Sequence, residues 1–442
     1  MTSSNDAPST ARSGNPDRLN LTREEPREAW RDGFFSLMFT QFQGAFSDNA
    51  LKWLVTFLVF SANLPREEQD SIVSLASALF ALPFLTFSMW GGWLADRCSK
   101  RTVMMGVKIA EVGIMLFAAW ALSRSSLPLQ LAAICLMGVH SAFFAPAKYG
   151  ILPEILPASR LSWGNGILEL LTFVAIILGT VTGGWLAEVM VGRQMVSGLL
   201  LAGLAVVGWG ISRGIQRVPA ADPRKPFTVN FPAEVWRQMN HLRRDLDLWR
   251  ANWGNTGFFY VAALVQMNLA LYAKQVFDLQ PTQQSWLQAA LCLGIGAGSA
   301  AAGQLSRGRI AYGFIPIGAA IMAVAAGVMG WPGVGRATFT AALAALGFGG
   351  GLFIVPVAAV LQHRPAATEK GAVQGIASWL SWVGIIAAAG TQALLGSTFH
   401  FTHAQVFWFC GVASLIAGVY VARTRPGAIR ALFAPADLPG TH

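Results

Sequence analysis

Charge is what this sequence has least of. Only 12% of its 442 residues are Asp, Glu, Lys or Arg, while 54% are hydrophobic and the mean hydropathy is +0.48. Soluble domains carry about 25% charged residues, so a water-soluble receptor or nucleic-acid-binding domain is excluded. Cysteine is scarce as well. Cys98, Cys135, Cys292 and Cys410 are scattered, three of them in apolar runs, with no metal or redox spacing. They read as small apolar side chains, and no metal site is expected. No stretch alternates with period two, which excludes a membrane barrel. There is no nucleophile elbow, His-Asp acyltransferase motif or phosphate loop. The expectation is therefore no catalytic residue, no cofactor and no enzyme. Residues 1–28 have no apolar core of the signal-peptide kind, so none is expected.

What the chain does contain is apolar runs. A helix crosses a bilayer in about 20 residues. Twelve runs suffice, at about 33–61, 70–95, 102–123, 127–153, 163–189, 195–215, 251–276, 283–305, 311–331, 337–361, 372–396 and 405–422. The 46 glycines suit close helix contacts in lipid. The net charge of +10 reflects loop Lys and Arg, not a nucleic-acid partner. With the N-terminus inside, cytoplasmic segments hold roughly five times the Lys and Arg of external ones. Both termini are thus expected in the cytoplasm.

The longest loop divides six runs from six. The reading is a cytoplasmic tail over 1–32, expected to be mostly disordered, a half over 33–216, a linker over 217–250, a half over 251–423 and a tail over 424–442. In the linker, Val235, Met239, Leu242, Leu246 and Trp249 recur at helical spacing, with Arg237, Arg243 and Arg244 off that stripe. This predicts one amphipathic helix on the inner membrane surface, opened by Pro232. The halves repeat weakly. Ala142-Phe-Phe-Ala-Pro146 matches Gly351-Leu-Phe-Ile-Val-Pro356, Asn165-Gly-Ile-Leu168 matches Gln374-Gly-Ile-Ala377, and Gly92-Trp-Leu-Ala95 matches Gly303-Gln-Leu-Ser306. With Trp30-Arg31 and Trp249-Arg250 they keep one order, which argues for a duplicated six-helix unit with its site between the halves.

The first run carries Asp48, Asn49 and Lys52 near its middle. A carboxylate at that depth costs about 2.5–3.5 kcal/mol on insertion scales, so this helix needs a polar cavity. Asp48 and Lys52 are spaced i,i+4 in the favourable order. Two readings stand: an internal ion pair, or a site for a substrate or coupled ion. Lys108 and Glu111, spaced i,i+3, read as a structural pair, and His140 as a packed, hydrogen-bonded histidine. Gln266 and Asn268 in the seventh run either meet substrate or join helices.

Between the second and third runs lies Gly92-Trp-Leu-Ala-Asp-Arg-Cys-Ser-Lys-Arg101. It resembles the G-x-L-a-D-r-x-G-r-k motif of the major facilitator superfamily, with Ser99 where that family has glycine. Gly92 would allow close packing. Asp96, at a helix C-terminal end, is disfavoured by the dipole and needs a cationic or helix-N-terminal partner. The resemblance implies a major facilitator fold of twelve transmembrane helices in two halves. It also implies a gating latch built from Asp96 with Arg97, Lys100 and Arg101. The second copy, Gly303 to Arg309, lacks the Asp and reads as packing.

Ala45-Phe-Ser-Asp-Asn-Ala-Leu51, Ala145-Pro-Ala-Lys-Tyr-Gly-Ile-Leu152 and Asn165-Gly-Ile-Leu-Glu169 resemble the bacterial lysophospholipid transporter family, over about residues 34–185. This implies an inner-membrane protein that moves lysophospholipids by alternating access, toward reacylation in the cytoplasm. The implied partners are membrane lipids and a separate acyltransferase, since no such domain is read here, and the implied state is a monomer. By matching position the site would hold Asp48, Asn49, Lys148, Asn165 and Glu169. An ammonium head group wants Asp48 or Glu169, and a phosphate wants Lys52 or Lys148. Lys148 also reads as a snorkelling lysine at the membrane edge, and Glu169 as its partner or that of Lys108. Phe143, Phe144, Phe173, Phe258 and Phe259 are candidates for the tail wall, reached by a lateral opening. The family has a basic residue where this chain's seventh run has Gln266 and Asn268. The rival readings are a proton-coupled exporter of a drug or metabolite and a membrane scaffold for an acyltransferase.

Overall fold

A computed structural model of the chain describes residues 29–62, 64–279 and 281–433. Of the tails expected over 1–32 and 424–442, residues 1–28 and 434–442 lie outside the described residues, while 29–32 begin the first helix and Ala428–Phe433 form a short one. The helices are α1 (Ala29–Phe60), α2 (Arg66–Arg97), α3 (Lys100–Ser123), α4 (Leu127–Ile155), α5 (Leu161–Val189) and α6 (Gln194–Ser212), then α7 (Phe231–Leu242). They continue as α8 (Leu246–Gln275), α9 (Pro281–Leu305), α10 (Phe314–Met329), α11 (Arg336–His363), α12 (Lys370–Ser397), α13 (His403–Thr424) and α14 (Ala428–Phe433). Among the described residues there is no strand. Among the described residues, ten helices have the length and hydropathy of a membrane span, and α10 is a shorter apolar one. With α1, whose middle is polar, they make the twelve that the apolar runs predict.

Helix ends follow local chemistry. Pro128 sits in the first turn of α4, where a missing N–H costs nothing. Thr402 and Gln405 form a capping box at the start of α13. Pro83, Pro146 and Pro356 lie inside α2, α4 and α11, which membrane helices tolerate when neighbours re-satisfy the freed groups.

Helices α1–α6 pack on one another, and so do α8–α13. The halves meet along α2 with α12 and along α5 with α9. Both crossings rest on glycine. A Cβ on Gly92 would stand 2.5 Å from the Gly371 carbonyl oxygen and 3.1 Å from Gly375 Cα. One on Gly303 would stand 3.0 Å from the Ser162 carbonyl oxygen and 3.4 Å from Gly166 Cα. Gly92 and Gly303, and Gly166 and Gly375, are the glycines that the internal repeat aligns. Large apolar side chains such as Trp120, Val181, Val324 and Ile416 face outward, as lipid contact requires.

The linker departs from expectation in one respect. Asn230 caps α7 by accepting from the Ala233 N–H at 3.1 Å, with Pro232 in the first turn. The helix then ends at Leu242, and α8 begins at Leu246. Asp245 breaks the stripe because its carboxylate caps α8, accepting from the N–H groups of Asp247 at 2.9 Å and Leu248 at 3.2 Å. Leu246 and Trp249 therefore belong to α8. Phe231 at the start of α7 packs edge-on against Trp379 of α12.

Candidate functional site: a cavity between the halves

A cavity of about 310 Å³ lies between the two six-helix groups. Its walls differ. From α1, α4 and α5 come Asp48, Asn49, Lys52, Lys148, Tyr149 and Glu169. From α8, α11 and α12 come Asn255, Gln374 and Ser381 among apolar Phe259, Ile354 and Trp382. Every ionisable carboxylate and ammonium lining it belongs to the first group. Phe84 of α2 stacks on Trp382 of α12 at 4.5 Å between centroids, so the seam between those helices is aromatic at the cavity.

The polar groups of α1 reach the cavity because Gln41, Ala45, Asp48 and Lys52 recur at helical spacing on one face. Asp48 and Lys52 form no ion pair. Asp48 Oδ2 accepts from Ser141 Oγ at 2.7 Å, and its other oxygen has no partner. The Lys52 ammonium lies over the rings of Trp53 and Phe80 at 5.9 and 5.8 Å, a contact that favours a cation. Lys148 lines the cavity rather than snorkelling to a membrane edge, with its ammonium 4.5 Å from the Tyr149 ring centre. Tyr149 in turn donates to Glu169 at 3.1 Å. Two ammonium groups and two carboxylates thus stand around one space with few internal partners.

Behind this wall is a buried charged layer, of which His140 also lines the cavity. Lys108 and Glu111 are fully buried and pair at 2.6 Å. Gln43 accepts from Lys108 at 2.7 Å and donates to Glu111 at 2.8 Å. His140 Nε2 stands 3.3 Å from Glu111, and its ring stacks on Phe144. This is the structural pair and the packed histidine that the sequence suggests. The layer sits between two apolar clusters of the same half, one holding Phe34 and Ile151, the other Leu54 and Met115.

Three expected site residues lie elsewhere. Asn165 is fully buried and pairs with Gln362 of α11 outside the cavity. Asn268 donates to the His403 carbonyl oxygen at 2.8 Å and meets the His403 ring at 3.0 Å, tying α8 to α13. Gln266 is exposed on α8 and does not line the cavity. Of the five phenylalanines, Phe144 and Phe259 line the cavity, whereas Phe143, Phe173 and Phe258 do not. Gln41, Ser141, Tyr149, Thr172, Asn255, Gln374 and Ser381 line it without having been singled out.

The motif between α2 and α3 sits where the halves close. Asp96 is fully buried. It accepts from the N–H groups of Gly371 at 2.6 Å and Ala372 at 2.9 Å, the first turn of α12, and from Lys225 Nζ at 2.7 Å. It has both a helix N-terminus and a cation. Arg97 donates to the Lys225 carbonyl oxygen at 3.2 Å, Arg101 to that of Arg213 at 2.7 Å, and Lys100 pairs with Glu154 at 2.6 Å. With Ser99 in place of glycine, the turn is held by its hydroxyl, which donates to the Val218 carbonyl oxygen at 2.6 Å.

Comparison with known proteins agrees with this architecture. The family model described as Major Facilitator Superfamily matches residues 33–389. The lysophospholipid transporter LplT of Klebsiella pneumoniae strain 342 is 30% identical over 348 residues, covering 75% of this chain and 80% of that one. LplT of Escherichia coli strain K12 / DH10B is 28% identical over 355 residues, covering 76% and 81%. Among solved structures, the human organic anion transporter MFSD10 superposes with a TM-score of 0.75 at 16% identity, over 89% of this chain and 99% of that one. The Escherichia coli transporter FucP in its outward conformation gives 0.69 at 11%, over 89% and 99%.

Proposed function

The chain belongs to the Major Facilitator Superfamily and, within it, to the family of the LplT lysophospholipid transporters, and from that premise we propose that it moves lysophospholipids across a bacterial inner membrane by alternating access. The observation that carries this is the division of the cavity walls. Four charged side chains of both signs line one side, and the facing side is uncharged and largely apolar. A lysophospholipid is divided in the same way. Its phosphate fits Lys52 and Lys148, and an ammonium head group fits Asp48 and Glu169. Its acyl chain lies toward Phe84, Phe259 and Trp382. Keeping the tail against lipid through the seam of α2 and α12 saves about 0.8 kcal/mol per CH₂ that full exposure to a wet cavity would forfeit.

The end that bears the linker faces the cytoplasm in this reading, because Lys and Arg concentrate there. Its closed junction then corresponds to a protein shut toward the cytoplasm. Substrate taken from the outer leaflet would be released inward, where a separate acyltransferase reacylates it.

The test is a flip assay. Purified protein is placed in liposomes, labelled lysophosphatidylethanolamine is added to the outer leaflet, and protection from extraction is followed beside Asp48→Ala. Transport by wild type and its loss in a folded mutant is the expected result. Equal transport by both would keep the substrate and remove Asp48 from the site.

A second reading has one observation in its favour. Asp48, Ser141, His140 and Glu111 form a linked polar path from the cavity into the buried layer. That path suits a proton-coupled exporter of a water-soluble compound. Absence of lipid transport by wild type, with uptake of a soluble compound under an imposed pH gradient, would select it.

A further inference from the structure

The segment between α6 and α7 is a strap laid on one half only. Apart from bonds to α6 and α7, which it joins, its hydrogen bonds to other elements go to α2, α3 and the turn between them. Ser99 Oγ donates to the Val218 carbonyl oxygen, and the Asp222 N–H donates to the Asp96 carbonyl oxygen at 2.9 Å. Trp93 Nε1 donates to the carbonyl oxygens of Lys225 at 3.3 Å and Pro226 at 3.0 Å. Phe227 packs edge-on against Trp93 at 4.8 Å. Ile215 and Val218 are buried in an apolar cluster drawn from that same half except for Ala359 of α11. The strap therefore belongs to the α1–α6 body, and Lys225 travels with Asp96.

The other two partners of Asp96, the N–H groups of Gly371 and Ala372, belong to the opposite half. When α2 and α12 part at this end, Asp96 loses them and keeps Lys225. A carboxylate stripped of every partner in a protected place is strongly disfavoured. Lys225 removes most of that cost from the parted state. In the closed state the helix N-terminus already compensates the charge, so the ammonium adds less there. The side chain of Lys225 is 14% exposed, which leaves it close to water whichever state the gate is in.

We propose that Lys225 is the counter-ion that lets the Asp96 latch open: a gating residue supplied by the linker, which stabilises the parted state more than the closed one. A simple lock would loosen the junction when removed. This arrangement tightens it.

The inference rests on the alternating-access reading, and its test separates the two. Spin labels are placed at Ala158, on the turn before α5, and at Ala367, between α11 and α12, in the full chain with its four cysteines replaced. Distances are measured in lipid nanodiscs without substrate. Wild type is expected to show a short and a long distance. Lys225→Met is expected to lower the ratio of long to short by about tenfold, the size of a charge-assisted hydrogen bond. Asp96→Asn is expected to raise it, and Lys225→Met added to Asp96→Asn to change nothing further. Lys225→Arg, which keeps the charge, is expected to resemble wild type. A shift of Lys225→Met toward the long distance, or no shift, overturns the proposal while leaving alternating access intact. A single distance in wild type under every condition overturns alternating access and this inference with it.

Discussion

Asn165 and Gln362 exchange two hydrogen bonds across the junction of the halves. Asn165 Nδ2 donates to Gln362 Oε1 at 2.8 Å, and Gln362 Nε2 donates back to Asn165 Oδ1 at 2.7 Å. Both side chains are buried, at 0% and 1% exposure. Asn165 also donates to the Leu161 carbonyl oxygen at 3.0 Å, so it is anchored to its own helix while it holds the other half.

Removing one partner is expected to weaken the closed junction. In Asn165→Ala the Gln362 amide is left buried and unpaired, a penalty of about 1–3 kcal/mol that vanishes once the halves part and water enters. The measurement is the alkylation rate of a cysteine placed at Ser162, which is 3% exposed beside the same junction. The rate should rise several-fold in Asn165→Ala and in Gln362→Ala. In the double mutant it should rise by less than the product of the two. Unchanged rates would mean that the pair does not hold the gate.

The buried layer makes a prediction about stability. Lys108→Met leaves Glu111 with His140 and Gln43 but without its ammonium partner, and breaking such a pair costs about 3–5 kcal/mol. The thermal midpoint of the detergent-purified protein should fall sharply. Lys108→Met combined with Glu111→Gln should recover much of the loss, because no unpaired charge then remains. Equal midpoints for the single and double mutants would show that the layer is hydrated rather than dry.

Much of this arrangement is legible in the sequence, and the illegible part has identifiable causes. Apolar runs fix the twelve helices because lipid forces backbone groups to pair within a helix. The Lys108 and Glu111 pair is legible because both residues lie on one face of one helix. Lys225 is not, because it lies 129 residues from Asp96 in a polar loop whose composition says only that it connects two halves. Gln266 and Asn268 mislead for a geometric reason. Residues two apart on a helix point about 200° apart, so one cavity cannot take both, and here it takes neither. Gln374 and Ser381 line the cavity seven residues apart on α12, a spacing that repeats one helix face, but nothing in their chemistry marks that face as the inner one. The break before α8 is readable in Asp245, a capping residue that interrupts the apolar stripe.

A pH dependence follows from the same Asp245. Burial pushes its carboxyl up, but hydrogen bonds from Arg364 and from the N–H groups of Leu248 and Asp247 outweigh that and hold it below the ordinary value of 3.8. Arg364 also meets Asp247 at 3.1 Å, and Arg425 pairs with the same Asp247, so the starts of α8 and the ends of α11 and α13 are clasped together. A lowered carboxylate stabilises the fold above its unfolded value and ceases to as pH falls through the folded one. The contribution of the clasp should therefore be constant from neutral pH to about pH 5 and be lost below about pH 4. Thermal midpoints across that range should converge for wild type and Asp245→Asn at the acid end. A difference that persists undiminished at the lowest pH would show that the effect does not depend on ionisation of Asp245.

The divided cavity makes the sharpest prediction about selectivity. A zwitterionic head group brings one positive and one negative charge, and an anionic glycerol head group brings only the negative one. Glu169 lines the cavity beside Tyr149, and Lys148 lines it too; in the proposed reading Glu169 meets only the positive group, and Lys148 the phosphate that both share. Glu169→Gln should slow the flipping of lysophosphatidylethanolamine by about tenfold, the size of a lost charge-assisted contact. It should leave lysophosphatidylglycerol flipping unchanged or faster, because a carboxylate facing the phosphate has been removed. Lys148→Gln should slow both, and the anionic substrate more, since that one has no second charge to hold it. The two substrates are compared in the same liposomes with the same pair of mutants, so a folding defect would lower both together. Unchanged flipping of both substrates in Glu169→Gln would place the ammonium elsewhere and leave Asp48, with its one unpaired oxygen, as the group that receives it.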